Sequence, residues 1–289
     1  MGVGRAVLAI TLFLLFIPIL IVILAATGIL PSTPTQATNT VKVTNEPAGI
    51  DYWGPPTTAL AGYYCVRNAS IASTGWLVNN QGQQTNILEC TPGQCTYQPN
   101  PTAYRPPGYM IQLNVMLSNG FYLQNMYGGS WQGSTIFLEE EVFTTNESPW
   151  QSLSLNTGPP AQPCGWLVIS IKNGMAYFGY SSNGEDVDWY YTYPVGNALI
   201  TNGSFTNLVI AGPGNAAGVN FTRLYAVLAL WYWNGTTWVP AQTYVVGSNP
   251  GTLEFVTNAW VYNYNNTAVI TWPKPVNESV PVPTPGFKP

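Results

Sequence analysis

The chain has 289 residues, 46% hydrophobic and only 7% charged, with 8 Lys plus Arg against 12 Asp plus Glu and no histidine. That length and apolar content support one large domain or two modest ones with real cores. Too few cations are present to bind a phosphate backbone, so no nucleic-acid partner is expected. The missing His removes Ser-His-Asp and Cys-His nucleophiles and the commonest ligand of zinc and copper, leaving carboxyls, hydroxyls, amides and thiols for any chemistry.

In chain order, the first element is the uncharged run "AVLAITLFLLFIPILIVILAATGIL" from Ala6 to Leu30, behind the single cation Arg5. It is longer than a signal-peptide core and reaches the roughly 20 residues a spanning helix needs. The small residues at Leu24-Ala25-Ala26 suit a signal peptidase, so residues 1–30 read as a hydrophobic helix that is either a cleaved signal or a retained membrane anchor. Either way Arg5 stays inside and the remainder lies outside, giving an extracellular or cell-surface location. Residues 31–46, "PSTPTQATNTVKVTNE", are rich in Thr, Pro and Asn and suit an exposed linker or pro-segment.

From 47 to 271 the recurring unit is a short run of β-branched and aromatic residues closed by Asn-Gly or Pro-Gly, as in "YMIQLNVML" before "SNG" and "GWLVISI" before "KNG". Asn-Gly between apolar runs is a strong hairpin signal, because both central residues of a type I′ turn need positive φ. The region therefore reads as all-β, sandwich-like antiparallel sheets, in one large unit or two packed halves, 47–160 and 161–271, meeting at "GPPAQP". Residues 272–289 form a Pro-rich tail whose prolines cannot join a central strand.

Four cysteines in an exported chain imply disulfides. "TPGQ" between Cys90 and Cys95 can turn those two together, so the preferred pairing is Cys90 with Cys95 and Cys65 with Cys164, out of three possible connectivities. No zinc arrangement fits four cysteines without a double C-x-x-C spacing. Sequons place candidate glycans at Asn68, Asn146, Asn202, Asn220, Asn234, Asn265 and Asn277. Glu185, Asp186 and Asp188 have a spacing able to hold calcium but lack the following Gly and terminal Glu, and read as a charged hairpin tip. No metal and no cofactor is expected.

The stretch "FLEEEVF" at 137–143 sets three glutamates among large apolar residues. On a strand, Leu138, Glu140 and Val142 share one face and Phe137, Glu139, Glu141 and Phe143 the other, so Glu140 is the acid expected to point inward, with Glu139 and Glu141 solvated. On an apolar face its ionised form is disfavoured, which raises its pKa and suits a general acid.

Four stretches together resemble the thermopsin family of secreted archaeal acid peptidases: "EPAGIDYWG" at 46–54, "IQLNVMLSNGFYLQNM" at 111–126, "FLEEEVF", and "NLVIAGPGNAAGVNF" at 207–221 with the following "LALWYWNGTTWVPAQTYVVGSNPGTLEF". The resemblance implies an extracellular all-β hydrolase that cleaves polypeptide at low pH and high temperature by carboxyl chemistry. It places Glu140 at a position where the family carries Asp. Hydrolysis without His or metal needs one carboxylate to activate water and a second group to protonate or polarise the carbonyl. The first-choice pair is Glu140 with Glu254, followed by Asp51 and Gln124. This chain also departs from the family pattern: "SFTNLVIAG" lacks the acids that often precede the Gly-Pro-Gly-Asn loop, and "SNPGT" replaces an Asp-containing segment. A catalytically inactive thermopsin-like surface, adhesion or structural glycoprotein is the alternative reading. A carbohydrate-binding sandwich, resting on clusters such as "WYWNGTTW", is a third.

Overall fold

The computed structural model describes residues 39–78, 86–91, 94–95, 108–130, 136–145, 151–158, 160–213, 217–246 and 254–289. The hydrophobic segment 6–30 and the sequon at Asn146 lie outside the described residues. All regular structure in the described part is strand, arranged as two packed sheets.

The larger sheet runs β1 (Asn39–Val43), β18 (Ala259–Tyr264), β19 (Thr267–Trp272), β14 (Ala217–Trp233), β3 (Ala59–Val78), β10 (Cys164–Lys172), β11 (Met175–Ser181), β12 (Asp188–Pro194). Off this path, β15 (Trp238–Pro240) and β17 (Phe255–Val256) pair with β14, and β4 (Asn86–Thr91) joins β3 to β5 (Gln94–Cys95). The smaller sheet runs β16 (Thr243–Val245), β2 (Ala48–Tyr52), β13 (Gly203–Ala211), β6 (Gly108–Met116), β7 (Phe121–Ser130), β8 (Ile136–Thr144), β9 (Gln151–Thr157). Pairing is antiparallel except for the short β14–β17 contact.

The turn chemistry anticipated from Asn-Gly is present. Asn173 and Gly174 both hold positive φ, 53° and 74°, and join β10 to β11 with Lys172 opposite Met175. Asn265, at φ 54°, closes the β18–β19 hairpin with a positive φ at its first central residue only. Between the sheets lie Ile50, Leu60, Tyr64, Leu113, Leu123, Leu138, Leu167, Ile169, Phe178 and Leu208, all essentially inaccessible. Gly62 lets the layers meet: a Cβ there would lie 2.9 Å from Leu208 Cδ1 and 3.4 Å from Leu113 Cδ1.

Strands from before and after residue 160 interleave in both sheets, with β3 between β14 and β10 and β13 between β2 and β6. Residues Thr38–Pro289 are accordingly one compact unit. Part of the stretch expected as linker forms β1, because Val41 and Val43 alternate with polar neighbours and Val43 finds the core. Cys65 and Cys164 are direct partners across β3 and β10 and form a disulfide. Cys90 stands opposite Cys95 in the β4–β5 register, the backbone relation their pairing needs; their side chains lie outside the described residues.

The C-terminal stretch forms no strand, yet its end is docked. Phe287 is 5% exposed and packs on Trp166 and Trp238, with ring centroids 6.0 and 5.6 Å away. Its carbonyl accepts the Trp238 indole N–H at 2.7 Å, and the Gly286 N–H donates to the Gly184 carbonyl at 2.7 Å. Prolines keep this stretch extended and short of donors, and the Phe287 anchor and these two hydrogen bonds, with Val282 packed on the same cluster, hold its end.

Burial raises the phenols of Tyr52, Tyr64, Tyr109, Tyr122, Tyr127 and Tyr190 above their ordinary value, Tyr127 to about 12. Below about pH 9 these groups are protonated in both folded and unfolded chains and add no pH dependence. Above about pH 10 the unfolded chain releases protons that the folded one keeps, so stability falls as pH rises. The urea midpoint is therefore expected to drop between about pH 8 and pH 11, with the phenolate absorbance of these six buried tyrosines appearing only as the fold is lost; a urea midpoint unchanged across that range would contradict this packing.

Candidate functional site

Strand register assembles a polar row across the smaller sheet. Reading Cα partners from β16 to β9 gives Tyr244, Asp51, Asn207, Asn114, Gln124, Glu141, Leu155. Direct partners project to the same face, and six interstrand steps span about 29 Å. Two residues along, the parallel row Gly49, Val209, Gln112, Met126, Glu139 adds a further amide and acid to that face. This face is turned away from the larger sheet, yet Asn114 and Asn207 are fully buried, Gln112 is 1% exposed, Asp51 4%, Gln124 6% and Glu139 6%. Glu141 remains partly accessible.

The amides hold one another in order. Gln124 Nε2 donates to Asn114 Oδ1 at 2.9 Å and, at 3.4 Å, to Gln112 Oε1. Asn114 Nδ2 passes the chain on to Asn207 Oδ1 at 2.9 Å and to Gln112 Oε1 at 3.2 Å. Such a network rigidifies its members, because each buried amide would otherwise go unsatisfied. At the Gln124 end stand the carboxyls. The Ser152 hydroxyl donates to Glu141 Oε1 at 2.9 Å. The Tyr122 phenol is pushed well above its ordinary value, first by complete burial, then by the charges of Glu254 and Glu141, while a Gln124 hydrogen bond pulls the other way. Glu254, just ahead of β17, is thus brought to the same neighbourhood as Tyr122, Gln124 and Glu141.

The four sequence-derived candidates divide accordingly. Gln124 stands at one end of the polar face, with Glu254 near enough to act on the phenol of the neighbouring Tyr122, and Asp51 lies on the same face, three interstrand steps or about 14 Å from Gln124. Glu140 does point inward, with 0% exposure, and for that reason is on the opposite face, between the sheets. Its Cα partner is Asn125, and its Oε1 accepts from the Ser154 hydroxyl at 3.1 Å, itself 2.7 Å from the Tyr191 hydroxyl. Tyr190 is raised by burial and then by the charges of Glu140 and Glu139. Glu140 therefore shares no cleft with Gln124, Glu254 or Asp51.

The expectation that Glu139 is solvated is corrected, because the outer face of this sheet is covered as well as the inner one. Glu141, which alternation alone assigned to solvent, is the acid opposite Gln124. Asn114 and Asn207 were not singled out by sequence reasoning, although both fall inside the stretches that carry the family resemblance. Their signal was an amide in an otherwise apolar strand, as in "IQLNVM" and "TNLVIA".

Asn125 anchors the sheet to its partner. Its Nδ2 donates to the backbone carbonyls of Val168 and Gly179, each at 2.9 Å, and its Oδ1 accepts from the Tyr190 hydroxyl at 2.8 Å. Elsewhere, Asn183 Oδ1 accepts from the backbone N–H groups of Glu185 and Asp186 at 2.8 and 3.1 Å, so the acidic stretch is an Asn-capped turn. No group of three or more His, Cys, Asp or Glu able to hold a metal occurs among the described residues. Of the described sequons, Asn68, Asn202, Asn234, Asn265 and Asn277 are exposed and Asn220 is half-buried.

No family model and no curated protein matches the chain. A solved structure, a functionally unknown protein from Saccharomyces cerevisiae, aligns at 10% identity with a TM-score of 0.28, covering 71% of this chain and 96% of that one.

Replacing Asn125 by Ala strips partners from two buried carbonyls and one buried phenol at once. Loss of about 3 to 5 kcal/mol is expected, read as a lower urea midpoint. A change under about 1 kcal/mol would mean that this amide does not tie the sheets together.

Proposed function

We propose that the chain is a thermopsin-like acid endopeptidase, acting outside the cell on unfolded polypeptide, with the Gln124 end of the polar face as its site. One observation carries this reading. Three of the four sequence stretches that resemble the family contain β2, β6 with β7, and β8, all strands of the smaller sheet, and the fourth contains β13 and β16 of that sheet together with β14, β15 and the start of β17 of the larger one. Their polar side chains, Asp51, Asn114, Gln124, Glu141 and Asn207, fall on one row of one face.

The chemistry follows from the groups gathered there. Glu141, the accessible carboxylate, takes a proton from water as the water oxygen attacks the peptide carbonyl carbon. The developing oxyanion accepts a hydrogen bond from Gln124, whose 3.4 Å contact to Gln112 is longer than its 2.9 Å bond to Asn114 and is the one to be exchanged. A proton carried on the Glu254 carboxyl passes to the departing amine as the C–N bond breaks. Tyr122, held neutral first of all by its complete burial, remains an O–H donor throughout the acidic range.

The alternative, a silent surface glycoprotein, draws support from the mutual hydrogen bonding of Gln112, Asn114 and Asn207, which are 0 to 1% exposed. A test uses the full chain in detergent with an unfolded protein substrate between about pH 2 and pH 5. Glu141→Gln and Glu254→Gln are expected to lower kcat by about 10²- to 10³-fold, and Gln124→Ala by about 10²-fold, with melting unchanged. Glu140→Gln should retain kcat. No hydrolysis at any pH where the fold persists would favour the surface glycoprotein, and activity lost only in Glu140→Gln would move the site to the inner face.

A further inference from the structure

Trp53 and Tyr244 are the two most exposed aromatic side chains among the described residues, each at 46%, and they touch each other. Their ring centroids are 5.9 Å apart with planes at 87°, an edge-to-face corner. The corner is braced: Gln242 Nε2 donates to the Tyr244 hydroxyl at 2.7 Å, and the Trp53 backbone N–H donates to the Gln242 carbonyl at 2.9 Å. Two large apolar surfaces are thus held in water in a fixed arrangement, with the phenol oxygen already accepting a hydrogen bond. Folding stability gains nothing from leaving them uncovered.

Their position ties them to the polar face. Tyr244 is the Cα partner of Asp51 and so opens the same row, and Trp53 follows Asp51 by two residues along an extended backbone. From Tyr244 to Gln124 there are four interstrand steps, about 19 Å. An extended peptide advances about 3.3 Å per residue, so about six residues bridge that distance. Asn207 and Asn114, which lie between, are fully buried, so a bound chain crosses above them and six residues is the minimum separation.

We propose that Trp53 and Tyr244 form an accessory subsite that takes an apolar side chain of the polypeptide substrate, at least about six residues from the bond cleaved. This rests on the peptidase reading of the polar face. A sugar ring is the poorer occupant, because it stacks on a flat exposed ring, whereas perpendicular rings enclose a notch that suits a compact aliphatic or aromatic side chain.

The test compares peptides that share one cleavage sequence: a short one ending at the cleavage site, and long ones carrying Leu or Gly at about six to eight residues from it, on either side. For the full chain in detergent, the Leu peptide is expected to show a KM about fivefold below that of the Gly peptide, at equal kcat. Trp53→Ala and Tyr244→Ala should each erase that difference while leaving kcat/KM for the short peptide unchanged. No Leu–Gly difference, or one that survives both substitutions, overturns the subsite while leaving the peptidase reading intact. Should no peptide be cleaved, the peptidase reading fails by itself, and the corner is read from intrinsic tryptophan fluorescence. A change produced by the long Leu peptide and abolished in Trp53→Ala upholds an apolar side-chain site. No change, or the same change produced by a glucose or mannose oligosaccharide, overturns it.

Discussion

The side chain of Asn125 is the point on which the rest of the architecture turns. It is a fully buried amide whose hydrogen bonds go to two strands of the opposite sheet and to a tyrosine of a third. Because side chains alternate along a strand, holding Asn125 inward commits Gln124 to the outer face. The β7–β8 register then hands the same choice to β8: Glu140, opposite Asn125, goes in, and Glu141, opposite Gln124, goes out. A slip of one residue would exchange the two sets and leave polar groups facing Leu113 and Leu138. One amide therefore sets both the packing of the sandwich and the chemistry of its outer surface.

Much of the fold was legible because local chemistry dictates it. Asn173-Gly174 demands a tight hairpin, and Cys65 and Cys164 form the disulfide that was preferred for them among three connectivities. The inward direction of Glu140 was readable from Leu138 and Val142 on either side at period two. What it would face was not readable, since the partners of β8 are fixed by long-range pairing that no local pattern encodes. Alternation also assumes one wet face and one dry face. In β6, "GYMIQLNVM", eight consecutive residues are buried, which identifies a strand covered on both sides. That near-continuous apolar run was the available sign that an acid on the outer face, such as Glu139, need not be solvated.

The economy of charge gives the polar row its weight. In a chain with 12 acids among 289 residues, Asp51, Glu139, Glu140 and Glu141 are placed on a single sheet. Buried carboxyls and amides cost free energy unless each has partners. Here the amides form a continuous chain from Asn207 to Gln124, so their polarity is contained within the sheet. The same rigid chain would hold Gln124 in a fixed orientation toward anything bound beside Glu141.

The interleaving of the strands bears on how the molecule is made. β3, near the start of the described chain, pairs along most of its length with β14, and β1 has β18 as its strand partner. Neither pairing can begin until residues beyond 217, and for β1 beyond 259, are available. A partial chain emerging from the ribosome holds long unpaired β edges and no local substitute for them. The local runs β6 to β9 and β10 to β12 can pair early, but the centre and the β1 edge of the larger sheet must wait for these later residues, which makes completion slow by the measure of contact separation and leaves edges exposed to aggregation until then.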